Sequence, residues 1–193
     1  METRSRSQGA RSRILVILLF ATGAIALAVT AAADHRELPT GAFSVDLELV
    51  LPGAPETIYD AITGDISEWW DHSFTKSPRK FYIEPKPGGG FWEIIDDTGD
   101  GVLHATVIYA QRGKLLRFDG PLGFSGKAVK MVHTYEFSHV GTDSTRLKLN
   151  VRASGEMEES WAGAVEQVWF HFLVERFKPY VESGRHLRKA GGQ

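Results

Sequence analysis

The sequence predicts an α+β domain in which one seven-stranded antiparallel sheet packs against a long C-terminal helix. Two observations carry this prediction. Short segments with alternating apolar and polar residues follow one another over residues 43–153, and turn residues separate them. Residues 157–183 instead have helical spacing and are crowded with tryptophan and phenylalanine. We expect this helix to cover the apolar face of the sheet.

The first predicted elements are a strand and a short helix. Apolar residues alternate with polar ones over residues 43–51, which predicts strand one. Pro55 suits the first position of a helix, and Gly64 is typical of its end. The sequence therefore predicts a short helix between these two residues.

A second short helix is predicted before strand two. Asp65 and Glu68 have the spacing of a capping box at a helix start. Trp69 and Trp70 follow, and adjacent positions on a helix diverge by about 100°. We therefore expect one of these rings in the core and the other at its rim.

Six further strands, separated by turns rich in Pro, Gly and Asp, complete the predicted sheet. Their bounds are residues 80–84, 91–96, 102–111, 114–119, 128–138 and 145–153. The last two have apolar residues on one face and polar residues on the other, as in a sheet with a wet outer surface. In strand four, alternation places Leu103, Ala105, Val107 and Tyr109 inside and His104 outside.

The long C-terminal helix has two predicted apolar faces. Helical spacing gathers one set of residues toward the sheet, namely Trp161, Val165, Val168 and Phe172. Phe170 and Val174 lie off this stripe, which indicates a wider core contact, a homodimer surface or a membrane contact. Pro179 is expected to kink the last turn.

Four segments resemble the START and SRPBCC superfamily of helix-grip domains, especially its polyketide-cyclase-like and ATPase-activator-like branch. They are residues 54–62, the Trp69–Trp70 pair, residues 87–91 and residues 114–118. The resemblance covers residues 42–183. It implies a deep apolar cavity between a curved sheet and the last helix, which relatives use for lipids, sterols, polyketides or hormones and, in some cases, for catalysis.

Residues 1–33 are predicted to be a Sec-type export signal. Four arginines precede an apolar stretch that ends in three alanines, and we expect cleavage after Ala33. An uncleaved membrane anchor is the alternative, because residues 14–33 are uncharged and about twenty such residues span a bilayer. The expected product is periplasmic or secreted, with a linker at 34–41, the domain at 42–183 and a disordered tail at 184–193.

Composition excludes several functional classes. The chain has no cysteine, which excludes disulfides, and its net charge of −2 becomes about −5 without the signal, which argues against nucleic-acid binding. No two histidines have the spacing of a metal site, and the glycine-rich stretch 120–127 lacks the pattern of a phosphate loop. The sequence thus predicts neither a metal nor a cofactor. We expect Asp71 and His72 to cap a helix.

His133 and Tyr135 are the candidate catalytic residues, because alternation places both side chains on the inner face of one strand. The leading hypothesis is binding of an apolar small molecule or lipid without catalysis. The alternatives are a cyclase- or dehydratase-like enzyme that uses this pair, and a protein-interaction domain like the ATPase-activator branch. The predicted pocket lining is Trp69, Trp70, Phe91, Phe118, Met131, His133, Tyr135, Trp161, Val165 and Trp169.

Overall fold

The structure, a computed structural model, describes residues 34–189. The predicted export signal at residues 1–33 and the end of the predicted tail at 190–193 lie outside the described residues. Within the described part of the chain, no helix combines the length and the apolar character needed to cross a membrane.

One antiparallel sheet and a C-terminal helical segment make up the domain, so the predicted fold class is confirmed. The sheet order is β1-β8-β7-β6-β5-β4-β3-β2. The described strands are β1 (Thr40–Pro52), β2 (Gly64–Asp65), β3 (Lys80–Ile83), β4 (Gly90–Ile94), β5 (Gly101–Gln111), β6 (Leu115–Asp119), β7 (Val129–Val140) and β8 (Ser144–Glu156). The described α-helices are α1 (Pro55–Ile62), α2 (Trp161–Phe170), α3 (Lys178–Glu182) and α4 (Arg185–Lys189).

The predicted second short helix is wrong, and the same region explains the eighth strand. Gly64 and Asp65 form the edge strand β2, which pairs with β3. Asp65 Oδ1 accepts hydrogen bonds from the Ser67 backbone N–H at 3.1 Å and from the Ser67 hydroxyl at 2.7 Å. The carboxylate therefore closes a tight turn two residues on, and Trp69 and Trp70 follow that turn instead of lying on a helix.

The C-terminal helix changes its winding in the middle. Between α2 and α3, residues His171–Phe177 form a π-helical segment, in which the Lys178 N–H bonds to the Leu173 carbonyl five residues back. Pro179, which has no N–H to donate, comes directly after these wide turns. The irregularity thus begins at His171, upstream of the kink expected at Pro179.

A buried stripe runs along α2 and continues through the π-helical segment. The buried stripe repeats every four residues and consists of Trp161, Val165, Trp169, Leu173 and Phe177. Wide turns keep such a spacing in line where an α-helix would rotate it away. Val168, predicted to face the sheet, is 37% exposed and lies beside the stripe.

The predicted linker and tail are both shorter in the structure. β1 begins at Thr40, inside the predicted linker. Within the predicted disordered tail, α4 folds back so that the buried His186 ring lies 6.2 Å from the Tyr180 ring.

Strand β5 contains an extra residue that reverses part of its predicted orientation. Phe91 of β4 pairs with Ala105 and Trp92 pairs with Leu103, so His104 is a β-bulge. His104 is only 4% exposed and Leu103 is 46% exposed. The expectation that His104 lies outside is therefore wrong, because a bulge interrupts the period of two.

Gly120, which follows the end of β6, passes close to the backbone of the bulge. A Cβ on Gly120 would overlap the carbonyl oxygen of His104 and the Cα of Ala105. The absence of a side chain at Gly120 therefore lets the chain pass directly over the bulged backbone.

Replacing Gly120 with Ala should lower the free energy of unfolding by about 1–3 kcal/mol, because the added methyl group overlaps backbone atoms that cannot move aside. Urea unfolding of both proteins measures the change. Gly123→Ala is the matched control, since a Cβ there meets nothing within 4 Å. Equal stability of the two variants would contradict the close approach.

Candidate functional site

A cleft of about 330 Å³ lies between α2 and the sheet. Residues 70–74 form one wall, and residues 121–124, which we call the flap, form another. The lining is completed by Ala164, Val165, Val168 and Trp169 of α2, by Phe172, and by His104 and Met131 from the sheet. Leu122 in the flap has a φ of 49°, a backbone conformation that residues other than glycine seldom adopt.

Four of the predicted pocket residues line this cleft: Trp70, Met131, Val165 and Trp169. Trp161 instead packs on the flap, with its ring 4.4 Å from that of Phe124. The other predicted residues are buried outside the cleft lining: Trp69, Phe91, Phe118, His133 and Tyr135. The expectation for the adjacent tryptophans holds in part, because both rings are buried but only Trp70 reaches the cleft.

Trp169 fills the space where the deep cavity was expected. Its ring lies 6.1 Å from Trp70, 5.3 Å from His133 and 5.9 Å from Tyr135. Trp70 in turn stacks on Phe172 at 3.7 Å with an interplanar angle of 12°. These packed rings separate the cleft from the middle of the sheet.

The predicted acid–base pair lies behind Trp169. Neither His133 nor Tyr135 is part of the cleft lining, although both pack on Phe118 and Trp169. Within residues 34–189, neither ring nitrogen of His133 has a hydrogen-bond partner. Burial lowers the pKa of His133 to about 3 and raises the pKa of Tyr135. His133 is therefore neutral at physiological pH.

The polar group at the cleft wall is His104, which sequence reasoning placed outside. Its Nε2–H donates to the carboxylate of Glu93 at 3.0 Å. Glu93 is fully buried and also accepts hydrogen bonds from the Ser73 hydroxyl at 2.5 Å and from the Phe74 backbone N–H at 3.1 Å. Glu93 therefore joins His104 to the wall formed by residues 70–74.

These contacts set the charge states of Glu93 and His104. Burial would raise the pKa of Glu93, but hydrogen bonds from Ser73, Phe74 and His104 outweigh it and hold that pKa below its usual range. Burial lowers the pKa of His104, and the opposing effects of Glu93 and of the Leu122 backbone do not compensate. At neutral pH an ionised Glu93 thus accepts a hydrogen bond from the Nε2–H of a neutral imidazole.

A second polar group lies at the edge of the cleft and consists of Asp71, His72, His171, Glu175 and Arg176, which we call the histidine–carboxylate cluster. Asp71 Oδ1 lies 3.0 Å from His72 Nδ1 and 2.9 Å from His171 Nε2. The expected helix cap at Asp71 and His72 is wrong, because no helix starts there. The fold instead brings together residues 100 positions apart in the chain.

Replacing His133 with Leu should flatten the pH dependence of stability between about pH 6.5 and about pH 3. In this range the unfolded chain binds a proton that the folded protein excludes, so falling pH destabilises the wild type by up to about 1.4 kcal/mol per pH unit. The variant lacks this contribution and also removes two unpaired buried nitrogens, so near pH 7 it should be at least as stable.

Urea unfolding at a series of pH values measures the slope. His139→Leu is the control, because His139 is exposed on the same strand. A slope unchanged by His133→Leu would show that His133 is protonated in the fold.

No family model and no curated protein matches the chain. Several solved structures do. A protein from Mesorhizobium loti has a TM-score of 0.54 at 20% identity and covers 73% of this chain and 98% of its own. A protein from Rhizobium leguminosarum has a TM-score of 0.56 at 14% identity, with coverages of 77% and 99%. DynU16, encoded in the dynemicin biosynthetic locus, has a TM-score of 0.50 at 16% identity, with coverages of 73% and 48%. At these identities the likeness is one of fold, and the chain has a helix-grip fold.

Proposed function

We propose that this protein is a small-molecule-binding domain of the START and SRPBCC type, which holds an apolar ligand in the cleft. The observation that carries the proposal is the cleft itself, with its lining of tryptophan, phenylalanine, leucine and valine and one buried polar side chain, His104, which hydrogen-bonds to the buried Glu93 outside the lining. Ligand sites in proteins have this composition, in which apolar walls supply affinity and a few polar groups supply orientation.

The volume limits the ligand. Binding clefts commonly span about 300–1,000 Å³, and about 330 Å³ is at the lower end. A small apolar molecule, or one end of a longer lipid, fits this space. His104 is a buried polar side chain in the cleft wall and would orient a polar group on that ligand.

A second candidate is a cyclase- or dehydratase-like enzyme in which His104 takes the role first assigned to His133 and Tyr135. The supporting observation is that His104 lines the cleft and is oriented by a buried carboxylate, as a general base requires. The two candidates differ in the fate of the ligand. Mass spectrometry and NMR of a molecule recovered after incubation separate the two: a dehydratase product has lost the mass of water, a cyclase product has the same mass but a different spectrum, and a binding domain returns the molecule unchanged.

We also propose that the domain is exported, on the basis of the signal-like composition of residues 1–33. The mass of protein recovered from the periplasm or medium tests this, with a mature chain expected to start at Asp34. A homodimer through Phe170 and Val174, and a protein-interaction role like that of the ATPase activators, stay predictions. Phe170 is 47% exposed on α2, which leaves it accessible to a partner.

Replacing Ala164 with Trp should weaken ligand binding at least tenfold, a loss of about 1.4 kcal/mol, because the added ring occupies the cleft. Titration with anilinonaphthalenesulfonate, a fluorescent probe with an apolar aromatic body and one sulfonate group, gives the dissociation constant. Gln167→Trp is the matched control, because it adds the same ring to an exposed position of α2 outside the cleft lining.

The two variants should unfold at the same urea concentration as the wild type within experimental error. Equal probe affinity in the wild type and Ala164→Trp would overturn the proposed binding site.

A further inference from the structure

The histidine–carboxylate cluster presents three metal-ligand side chains to one point. One ligand atom each from Asp71, His72 and His171 lies within 4.8 Å of the other two. Tetrahedral Zn²⁺ with bonds of about 2.0–2.1 Å holds its ligand atoms about 3.3 Å apart. The separations of 2.9 and 3.0 Å between Asp71 Oδ1 and the two ring nitrogens need to open by a few tenths of an ångström, and the two ring nitrogens, which lie within 4.8 Å of each other, need to reach the same spacing.

The surroundings of His171 and Asp71 match those of metal ligands. His171 Nδ1 lies 2.8 Å from Glu175 Oε2, which leaves Nε2 directed at Asp71. Metal-binding histidines usually donate their second ring nitrogen to a carboxylate in this manner, which fixes the tautomer and the ring orientation. Arg176 Nε lies 3.0 Å from Asp71 Oδ2, so this arginine places a positive charge beside the carboxylate without occupying Oδ1.

The backbone that carries these side chains is fixed by aromatic packing. Asp71 directly follows Trp70, and His171 directly precedes Phe172, and the rings of Trp70 and Phe172 stack at 3.7 Å. His171 is also the first residue of the π-helical segment, and such segments are frequent at functional sites. The stacked pair thus holds the two halves of the cluster together before any ion binds.

We propose that Asp71, His72 and His171 bind a divalent transition-metal ion of the Zn²⁺ type, with the fourth coordination position open. Two imidazoles and one carboxylate favour such an ion over Mg²⁺ or Ca²⁺, which prefer oxygen ligands. His72 also lines the cleft, so the ion would lie at its edge. This site goes beyond the proposed binding of an apolar ligand and does not depend on it.

The rival interpretation is a network of ion pairs in which a proton on His171 takes the place of the metal. The two interpretations differ for Arg176. If the cluster is a metal site, removing this arginine takes away a positive charge beside the ion and leaves all three ligands in place. If the cluster is an ion-pair network, the loss of Arg176 has the same kind of effect as the loss of His171, because each removes an ion-pair partner of Asp71.

Calorimetric titration of the full chain, metal-stripped and without a polyhistidine tag, with ZnCl₂ in a non-chelating buffer tests the proposal. We expect one saturable site per chain. His72→Ala, His171→Ala and Asp71→Asn should each weaken binding at least about tenfold. Arg176→Met should bind as tightly as the wild type or more tightly, and His139→Ala, at an exposed histidine of β7, should be unchanged.

Visible absorption of bound Co²⁺ gives an independent readout, since each ligand variant should lose or shift the bands of the wild type. Far-ultraviolet circular dichroism confirms folding, and His72→Ala is the safest variant because that side chain is 55% exposed. Absence of saturable 1:1 binding, or equal affinity in the wild type and the three ligand variants, would overturn the proposal.

Discussion

An extra residue in β5 directs the His104 imidazole toward the interior of the protein, and the cleft is built around that side chain. On one side His104 donates to the buried Glu93, whose other hydrogen bonds hold Ser73 and Phe74 in the cleft wall. On the other side Gly120 passes over the bulged backbone and leads into the flap. A buried carboxylate costs several kcal/mol unless it is fully hydrogen-bonded, so this arrangement is sensitive to the loss of any one partner.

Aromatic packing then decides how much of the interior stays open. Trp169 packs between the sheet and Trp70, and the cleft lies between α2, the flap and residues 70–74. Where the family resemblance implied a deep cavity, the structure thus has a cleft of about 330 Å³. Within residues 34–189, the same packing leaves the His133 ring neutral, without a hydrogen-bond partner and outside the cleft lining.

Local patterns in the sequence were sufficient for the fold but only partly for the site. Alternation and helical spacing depend on neighbours within a few residues, so they located seven of the strands and the C-terminal helix. The helix predicted from the capping-box spacing at Asp65 was wrong because the Asp65 carboxylate accepts hydrogen bonds from Ser67, two residues on. His104 was missed because a bulge changes the inner face without changing the composition of the strand. The sequence did contain one signal for a buried polar partner, namely Glu93 in a short apolar strand. A charged residue is seldom buried unless it is paired.

Contacts between distant parts of the chain account for the remaining differences. Asp71 and His171 lie 100 residues apart and meet where Trp70 stacks on Phe172, so ligand spacing in the sequence gave no sign of them. Likewise, the filling of the expected cavity by Trp169 depends on ring orientations that periodicity does not specify.

The most direct test of the site is the response of the imidazole resonances to a bound aromatic probe. Nitrogen-15 NMR of the histidine side chains, recorded during titration with anilinonaphthalenesulfonate, separates the cleft from the interior. Binding in the cleft predicts saturable shifts of the His104 ring nitrogens, while those of His133 stay unchanged. Shifts at His133 with an unperturbed His104 would contradict this account and place the ligand in the middle of the grip.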